Sequence, residues 1–294
     1  MLYRCYAKVN LTLEILGRRP DGYHDLVSLV HTIGLADDLR IDSADELLTR
    51  VEGLDIDPDT NLVSRAAELL AGATGTRYGA ELSLVKRIPS AAGLGGGSSD
   101  AATTLVGLNT LWNTRLGPRR LLELAAELGS DVPYFVRGGA AIMRGRGELL
   151  ERLPPINGQW FTILVPEHDI LDKTRRLYAA LEPADFTSGE TTNGALTRWR
   201  EGLPLAEDLL VNSFSGAARA VFSGLEDLWA QAEKRCERRF FLSGAGPALF
   251  ALARDRADAR RQASELGPNA FAARTVAHAR ASVKFAAATA IEYA

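Results

Sequence analysis

Cysteine is nearly missing from this sequence: Cys5 and Cys236 are the only two in 294 residues, with no C-x-x-C pair between them. A disulfide scaffold and a thiolate zinc site are thereby set aside, and a reducing cytoplasmic setting is expected. Surplus positive charge is lacking too. A formal net charge of -3 offers no broad basic field to a nucleic-acid backbone, so any anion must be met by local donors. No stretch supplies the roughly 20 apolar residues that span a bilayer. The opening MLYRCYAKVNLTLEIL carries Arg4 and Lys8 where a secretory signal needs an unbroken apolar core. Internal repeats and low-complexity tracts are absent as well. These absences point to neither nucleic acid nor membrane as partner, and a monomer or weak homodimer is expected.

The 294 residues suit two domains better than one core. Residues 6–16 are rich in strand formers and precede a Pro-Asp-Gly turn in RRPDGYHDL, and LVSLVHTIGLADDLRI continues in strand style. TNLVSRAAELLAGATG sets Leu62, Ala66, Leu69 and Leu70 on one helical face, and ELSLVKRIP returns to strand spacing. Helical patterns follow from Ser98 and in PRRLLELAAELG, where Gly129 is the stop. The texture changes at ERLPPINGQW, so the boundary is placed there: 1–155 and 156–294. The second half offers a strand at FTILVP, a helix at DKTRRLYAAL and one long helix from FSGAARAV through AQAEKR. Strands at RFFLSG and PALFALA, a helix at ADARRQASEL and a strand at FAARTVA complete it. Helices and strands interleave without strict alternation, which favours α+β over a doubly wound sheet.

One stretch stands out. PSAAGLGGGSSDAA, residues 89–102, joins a strand to a helix through four glycines within five positions, Gly93 and Gly95 to Gly97. Glycine lets backbone approach a ligand closely, at a cost of roughly 0.5–1 kcal/mol per ordered residue. A run of amide N–H groups feeding a helix N-terminus is an anion cradle, and phosphate is its natural guest. Ser98 and Ser99 stand where hydroxyls cap that helix, reach a phosphate oxygen or meet its magnesium ion. No lysine follows the glycines as a P-loop requires, and the dinucleotide fingerprint is met only loosely. A flexible or tightly packed connector is the plain alternative.

The stretch resembles the ATP-binding signature P-x-x-x-G-L-G-G-G-S-S-x-A-A of the GHMP kinases, which phosphorylate small compounds such as galactose, homoserine and mevalonate. AKVNLTLEILGRRPDGYHDL, GSDVPYFVRGGAAIMRGRGE and LSGAGPALFAL resemble three further segments of one branch, whose acceptor is a cytidine diphosphate derivative of methylerythritol. Together they span nearly the whole chain. The resemblance implies an α+β GHMP kinase fold. Its N-terminal domain is ribosomal-protein-like, with a left-handed β-α-β unit, its C-terminal domain is ferredoxin-like, and the active site lies between them. It further implies ATP and Mg2+, with no side chain assigned to the metal. The rivals are a GHMP kinase of another small alcohol, a silent ligand-binding homologue, and an RNA-associated protein sharing the N-terminal fold; the last calls for basic patches this composition does not show.

By the same resemblance Asp131 takes the acceptor proton beside Lys8. Read alone, Asp131 in LGSDVP is a cap of a helix starting at Ser130 or Asp131, and Lys8 a solvated strand lysine. Asn61, Lys86, Pro89, Gly93, Leu94, Gly95, Gly96, Gly97, Ser98 and Ser99 are implied for ATP; Lys86 equally reads as the charged end of a strand. Tyr23 and His24 suit a flat polar base, or simply turn packing. Asn10, Thr174, Tyr178, Gly244 and Ala245 complete the acceptor side. The T-x-x-x-Y spacing of Thr174 and Tyr178 is also ordinary core spacing, and SGAGP alone reads as a hairpin turn. Ala245 replaces the serine or threonine common at that position in the family, so no side-chain contact is expected there. Arg144 and Arg146 in MRGRGE read either as partners of a diphosphate or as ordinary surface arginines, and neither is assigned to the site.

Overall fold

The computed structural model describes residues 1–53, 61–167 and 172–283. Its first part runs β1 (Leu2–Asn10), β2 (Thr12–Arg18), β3 (His24–Ala44), β4 (Leu47–Glu52), α1 (Leu62–Thr74), β5 (Gly79–Val85), α2 (Gly96–Leu111), α3 (Pro118–Leu128), α4 (Val132–Phe135), β6 (Ala140–Gly145) and β7 (Leu149–Leu153). There follow β8 (Trp160–Leu164), α5 (Lys173–Ala179), α6 (Glu190–Arg200), β9 (Val211–Asn212), α7 (Ser215–Val221), α8 (Leu225–Cys236), β10 (Phe241–Leu242), β11 (Leu249–Ala253), α9 (Arg256–Leu266), β12 (Ala270–Arg274) and β13 (Arg280–Val283).

β3 is the spine of the larger sheet. Its apolar run LVSLVHTI is buried, and along its 21 residues it pairs antiparallel with β2, β6, β1 and β5 in turn. The expected strand over 6–16 is two strands, broken at Leu11, whose amide bonds Leu29 O of β3 at 2.8 Å. The alternation of β1 sorts its side chains by face. Cys5, Ala7 and Val9 are fully buried in the core, whereas Lys8 and Asn10 point the other way and are still only 4% and 5% exposed. β9 and β13, from far along the chain, join this sheet beside β2 and β1. The second sheet is antiparallel, in the order β10-β11-β8-β12.

Small residues let the helices lie close to the sheet. Ala101, Ala102, Leu105 and Leu108 of α2 are buried in the same apolar cluster as Cys5, Leu39 and Ile41. The long helix expected after residue 212 is instead α7 and α8. Phe222 leaves the helical region (φ -96°, ψ 103°) and ends α7, and Gly224, at φ +76°, is the N-cap residue from which α8 starts. Among the described residues, no helix is long and apolar enough to cross a membrane.

Candidate active site

The glycine run does what strand-to-helix glycine runs do. Gly95, at φ +72°, is the N-cap residue of α2, which therefore starts at Gly96, two residues earlier than the serine pattern suggests. Among the described residues no side chain caps this helix start, which leaves the first-turn amides without a side-chain partner there. Glycine is required at two points. A Cβ on Gly95 would lie 2.7 Å from the Phe135 ring, and one on Gly93, at φ +87°, would strike the carbonyl of Ser243. The loop is tied to both halves: Lys8 N donates to Leu94 O at 2.9 Å, Ala248 N to Ala92 O at 2.9 Å, and Ser243 Oγ to Gly93 O at 3.3 Å.

Two cavities meet at this loop, and Gly93, Gly95 and Ser98 line both. The smaller, about 320 Å³, is lined by Asn61, Lys86, Pro89, Gly96, Gly97 and Asp100 among others. The larger, about 750 Å³, takes in Lys8, Asn10, Tyr23, His24, Asp131, Thr174, Tyr178, Gly244 and Ala245. Almost every implied residue therefore lies on one cavity or the other. Two do not. Ser99, one helical step round from Ser98, is fully buried, with no partner for its hydroxyl among the described residues, and Leu94 packs into the core.

At the junction, Lys8 Nζ lies 3.7 Å from Asp131 Oδ2. Lys8 is buried and donates to Asn10 Oδ1, while Asn10 Nδ2 donates to Ser28 Oγ at 2.8 Å. Burial lowers the Lys8 pKa, and the Asp131 charge opposes that. The solvated-lysine reading is excluded. So is the capping reading of Asp131: it occupies the N-cap position of α4, yet its side chain makes no cap hydrogen bond and is 40% exposed toward the larger cavity.

Lys86 is not free to pair with a ligand. Its ammonium lies 2.5 Å from Asp37 Oδ2 and 2.7 Å from Asp100 Oδ2, all three groups buried. Burial alone would lower its pKa, but two carboxylates outweigh burial and raise it. Asp100 sees one ammonium and a second carboxylate, so burial prevails and its pKa is raised as well. Asp37 Oδ1 also accepts from the amides of Arg87 and Ile88 at 2.5 and 2.7 Å, which fixes the strand end that feeds the glycine loop. Asn61 caps α1 through Oδ1 (2.9 Å to Val63 N), whereas its buried Nδ2 has no partner among the described residues.

The far end of the larger cavity is aromatic. His24 stacks on Tyr178 with centroids 4.9 Å apart, and Tyr178 packs edge-on against Phe214. Tyr23, by contrast, is 56% exposed, with the Arg146 guanidinium 4.6 Å from its ring centre. Burial, followed by the Asp131 charge, pushes the Tyr178 hydroxyl up to about 12. SGAGP forms the β10–β11 turn, as a hairpin reading expects, with Gly244 and Gly246 at positive φ. Asn212 Nδ2 holds it through Leu242 O and Gly244 O, both at 2.9 Å.

Sequence reasoning missed Lys173, which precedes Thr174, lines the larger cavity and donates to Gly246 O. It also missed Asp37 and Asp100 as the partners of Lys86: Asp37 lies 49 residues away, and Asp100, though inside the glycine stretch, stands at its variable position.

Fold and site together define a GHMP kinase. The family models for the N-terminal domain and the C-terminal domain of GHMP kinases match residues 61–139 and 192–273. A 4-diphosphocytidyl-2-C-methyl-D-erythritol kinase of Dehalococcoides mccartyi is 42% identical over 256 residues, covering 87% of this chain and 90% of that protein. The crystal structure of a 4-(cytidine 5'-diphospho)-2C-methyl-D-erythritol kinase superposes with a TM-score of 0.79 at 34% identity, covering 94% and 99% of the two chains. The homoserine kinase of Cytophaga hutchinsonii superposes at 0.70 with 17% identity over 96% of each chain, a likeness of fold alone. The chain belongs to the 4-diphosphocytidyl-2-C-methyl-D-erythritol kinase family.

Proposed function

We propose that this chain transfers the γ-phosphoryl group of ATP to the 2-hydroxyl of 4-diphosphocytidyl-2-C-methyl-D-erythritol, giving the 2-phosphate and ADP in the non-mevalonate route to isoprenoid precursors. One observation carries the reading: the Lys8–Asp131 pair stands where two cavities share Gly93, Gly95 and Ser98. Nucleotide in one and acceptor in the other meet there.

ATP takes the smaller cavity. Its phosphates lie against the backbone of Gly93 and Gly95 to Gly97 and the Ser98 hydroxyl, and the unpaired Asn61 Nδ2 serves the base side. Lys86 acts through the loop it fixes, because two carboxylates already hold its ammonium. Mg2+ accompanies the nucleotide. Among the described residues no cluster of three His, Cys, Asp or Glu side chains offers a protein cage, which suits an ion held mostly by phosphate oxygens. Ser98 and Asp131 are the protein oxygens at hand, and the ion would neutralise phosphate charge.

The acceptor takes the larger cavity. Its cytosine goes to the aromatic corner, stacked by Tyr23 and Tyr178 and hydrogen-bonded by His24, so binding exchanges the His24–Tyr178 contact for contacts with the base. Thr174, Asn10 and the turn at Gly244 and Ala245 line the way to Asp131. Asp131 orients the acceptor hydroxyl and takes its proton as the oxygen bonds to the γ-phosphorus and the bond to the β-phosphate oxygen breaks. Lys8 holds that carboxylate and offsets charge on the transferred group. Such a transfer, with a loose transition state, depends mainly on positioning and charge neutralisation. Residues 1–155 supply the nucleotide loop and the Lys8–Asp131 pair, and 156–294 the outer wall of the acceptor site.

The test is direct. Purified protein, ATP, Mg2+ and the cytidylyl acceptor are incubated, and the product mass is read for one added phosphate, with homoserine and mevalonate as control acceptors. Transfer to a control alone, or ligand binding without turnover, overturns the proposal.

A further inference from the structure

We propose that Lys173 is a third charged member of the transfer centre, placing its ammonium on the phosphoryl group as it passes between nucleotide and acceptor. The inference rests on the phosphotransfer reading above and deepens it.

Lys173 opens α5 and faces the larger cavity, which it lines together with Lys8, Asp131, Gly95 and Ser98. Its ammonium donates to Gly246 O, in the turn that packs on Gly93. Among the described residues no carboxylate lies within ion-pair distance of it. The charges it feels most are those of Lys8 and Asp131. Burial, reinforced by the like charge of Lys8, lowers its pKa to about 8, so it stays largely protonated at neutral pH.

Two ammonium groups therefore line the larger cavity near one carboxylate, which is paired with Lys8 alone. A half-buried surplus positive charge is unfavourable unless an anion shares the site. A phosphoryl group in transit is such an anion, and donors aimed at charge that develops during transfer contribute most to rate. Lys173 forms no covalent bond and keeps its protons throughout. Because it comes from the second half of the chain while Lys8 and Asp131 come from the first, it makes the centre depend on both.

The test compares wild type, Lys173→Met and Lys173→Arg. Lys173→Met is expected to lower kcat at least about 30-fold, with ADP affinity within about 3-fold of wild type and Lys173→Arg in between. A second arm measures how far aluminium fluoride, a phosphoryl mimic, tightens ADP binding; Lys173→Met is expected to lose that tightening. This arm needs no acceptor, so a wild type inactive on the cytidylyl compound defeats the proposed function while the mimic still judges Lys173. Wild-type kcat and tightening in Lys173→Met overturn the inference. So does a fall in kcat and thermal stability with tightening intact, which would make Lys173 only a strut for the 243–247 turn.

Discussion

Lys8 Nζ and Asp131 Oδ2 are 3.7 Å apart, yet one side chain comes from the middle of a sheet and the other from the mouth of a short helix. The lysine is enclosed and the carboxylate half open. That asymmetry suits a division of labour in which the ammonium is a fixed part of the site and the carboxylate meets the acceptor.

Asp131→Asn and Lys8→Ala are each expected to lower kcat by about 10²–10⁴-fold. Nucleotide affinity should stay within a few-fold of wild type, as read by steady-state kinetics and by titration of a non-hydrolysable ATP analogue. Lys8→Ala should also cost about 1–3 kcal/mol of stability, because the buried Asn10 Oδ1 loses its donor. Near-normal turnover in either variant would remove that residue from the mechanism.

Gly95→Ala places a methyl group 2.7 Å from the Phe135 ring and puts an L-residue at φ +72°. The left-handed backbone alone costs about 1–2 kcal/mol. A lower melting temperature and a KM for ATP raised about 10-fold or more are expected, with the acceptor KM changing less. Thermal melts and initial rates at varied ATP check both.

Removing the Tyr178 ring should act on the acceptor alone. Base–aromatic stacking contributes about 1–3 kcal/mol per base, so Tyr178→Ala is expected to raise the acceptor KM by about 5- to 150-fold and leave the ATP KM unchanged. Tyr178→Phe keeps the ring and should restore most of it. An unchanged acceptor KM in the alanine variant would place the base elsewhere.

Far from the site, Asp258 accepts from Arg254 and Arg261 at 2.8–3.1 Å near the start of α9. Hydrogen bonds, first those of Arg254, hold its pKa below the usual 3.8. A depressed carboxylate pKa adds stability that is present above the unfolded value and lost as pH falls through the folded one. Asp258→Asn should therefore destabilise by about 1–2 kcal/mol at pH 6, a modest figure because the arginines are solvent-screened. The gap to wild type should narrow only below pH 3.8, as urea melts at several pH values would show.

Part of this was readable in advance. Lys8 and Asn10 are two apart on a strand, so pleating alone places them on one face, and a strand–glycine–helix order announces an amide cradle before any contact is known. Local pattern failed where the deciding contact is distant. Ser99 looks equivalent to Ser98, but a helical step of about 100° turns its hydroxyl into the core. Asp37 and Lys86 are 49 residues apart and meet only because β3 and β5 are neighbours. The break between α7 and α8 was read through because the helical pattern resumes at Leu225; Ser223 and Gly224 stood there as a stop signal, and Phe222 is already extended.

β13 lies along the outer edge of β1, and Arg280 at its start donates to the carbonyls of Phe135 and Val136 at 3.3 and 2.8 Å. During synthesis β1 leaves the ribosome long before this segment does. Until residues 280–283 emerge, the strand bearing Lys8 exposes an unpaired edge, open to mispairing with other nascent chains. The turn that follows Asp131 likewise lacks its clasp, so catalytic competence is conferred late, and a polypeptide stopped short of residue 280 is deprived of both supports at once.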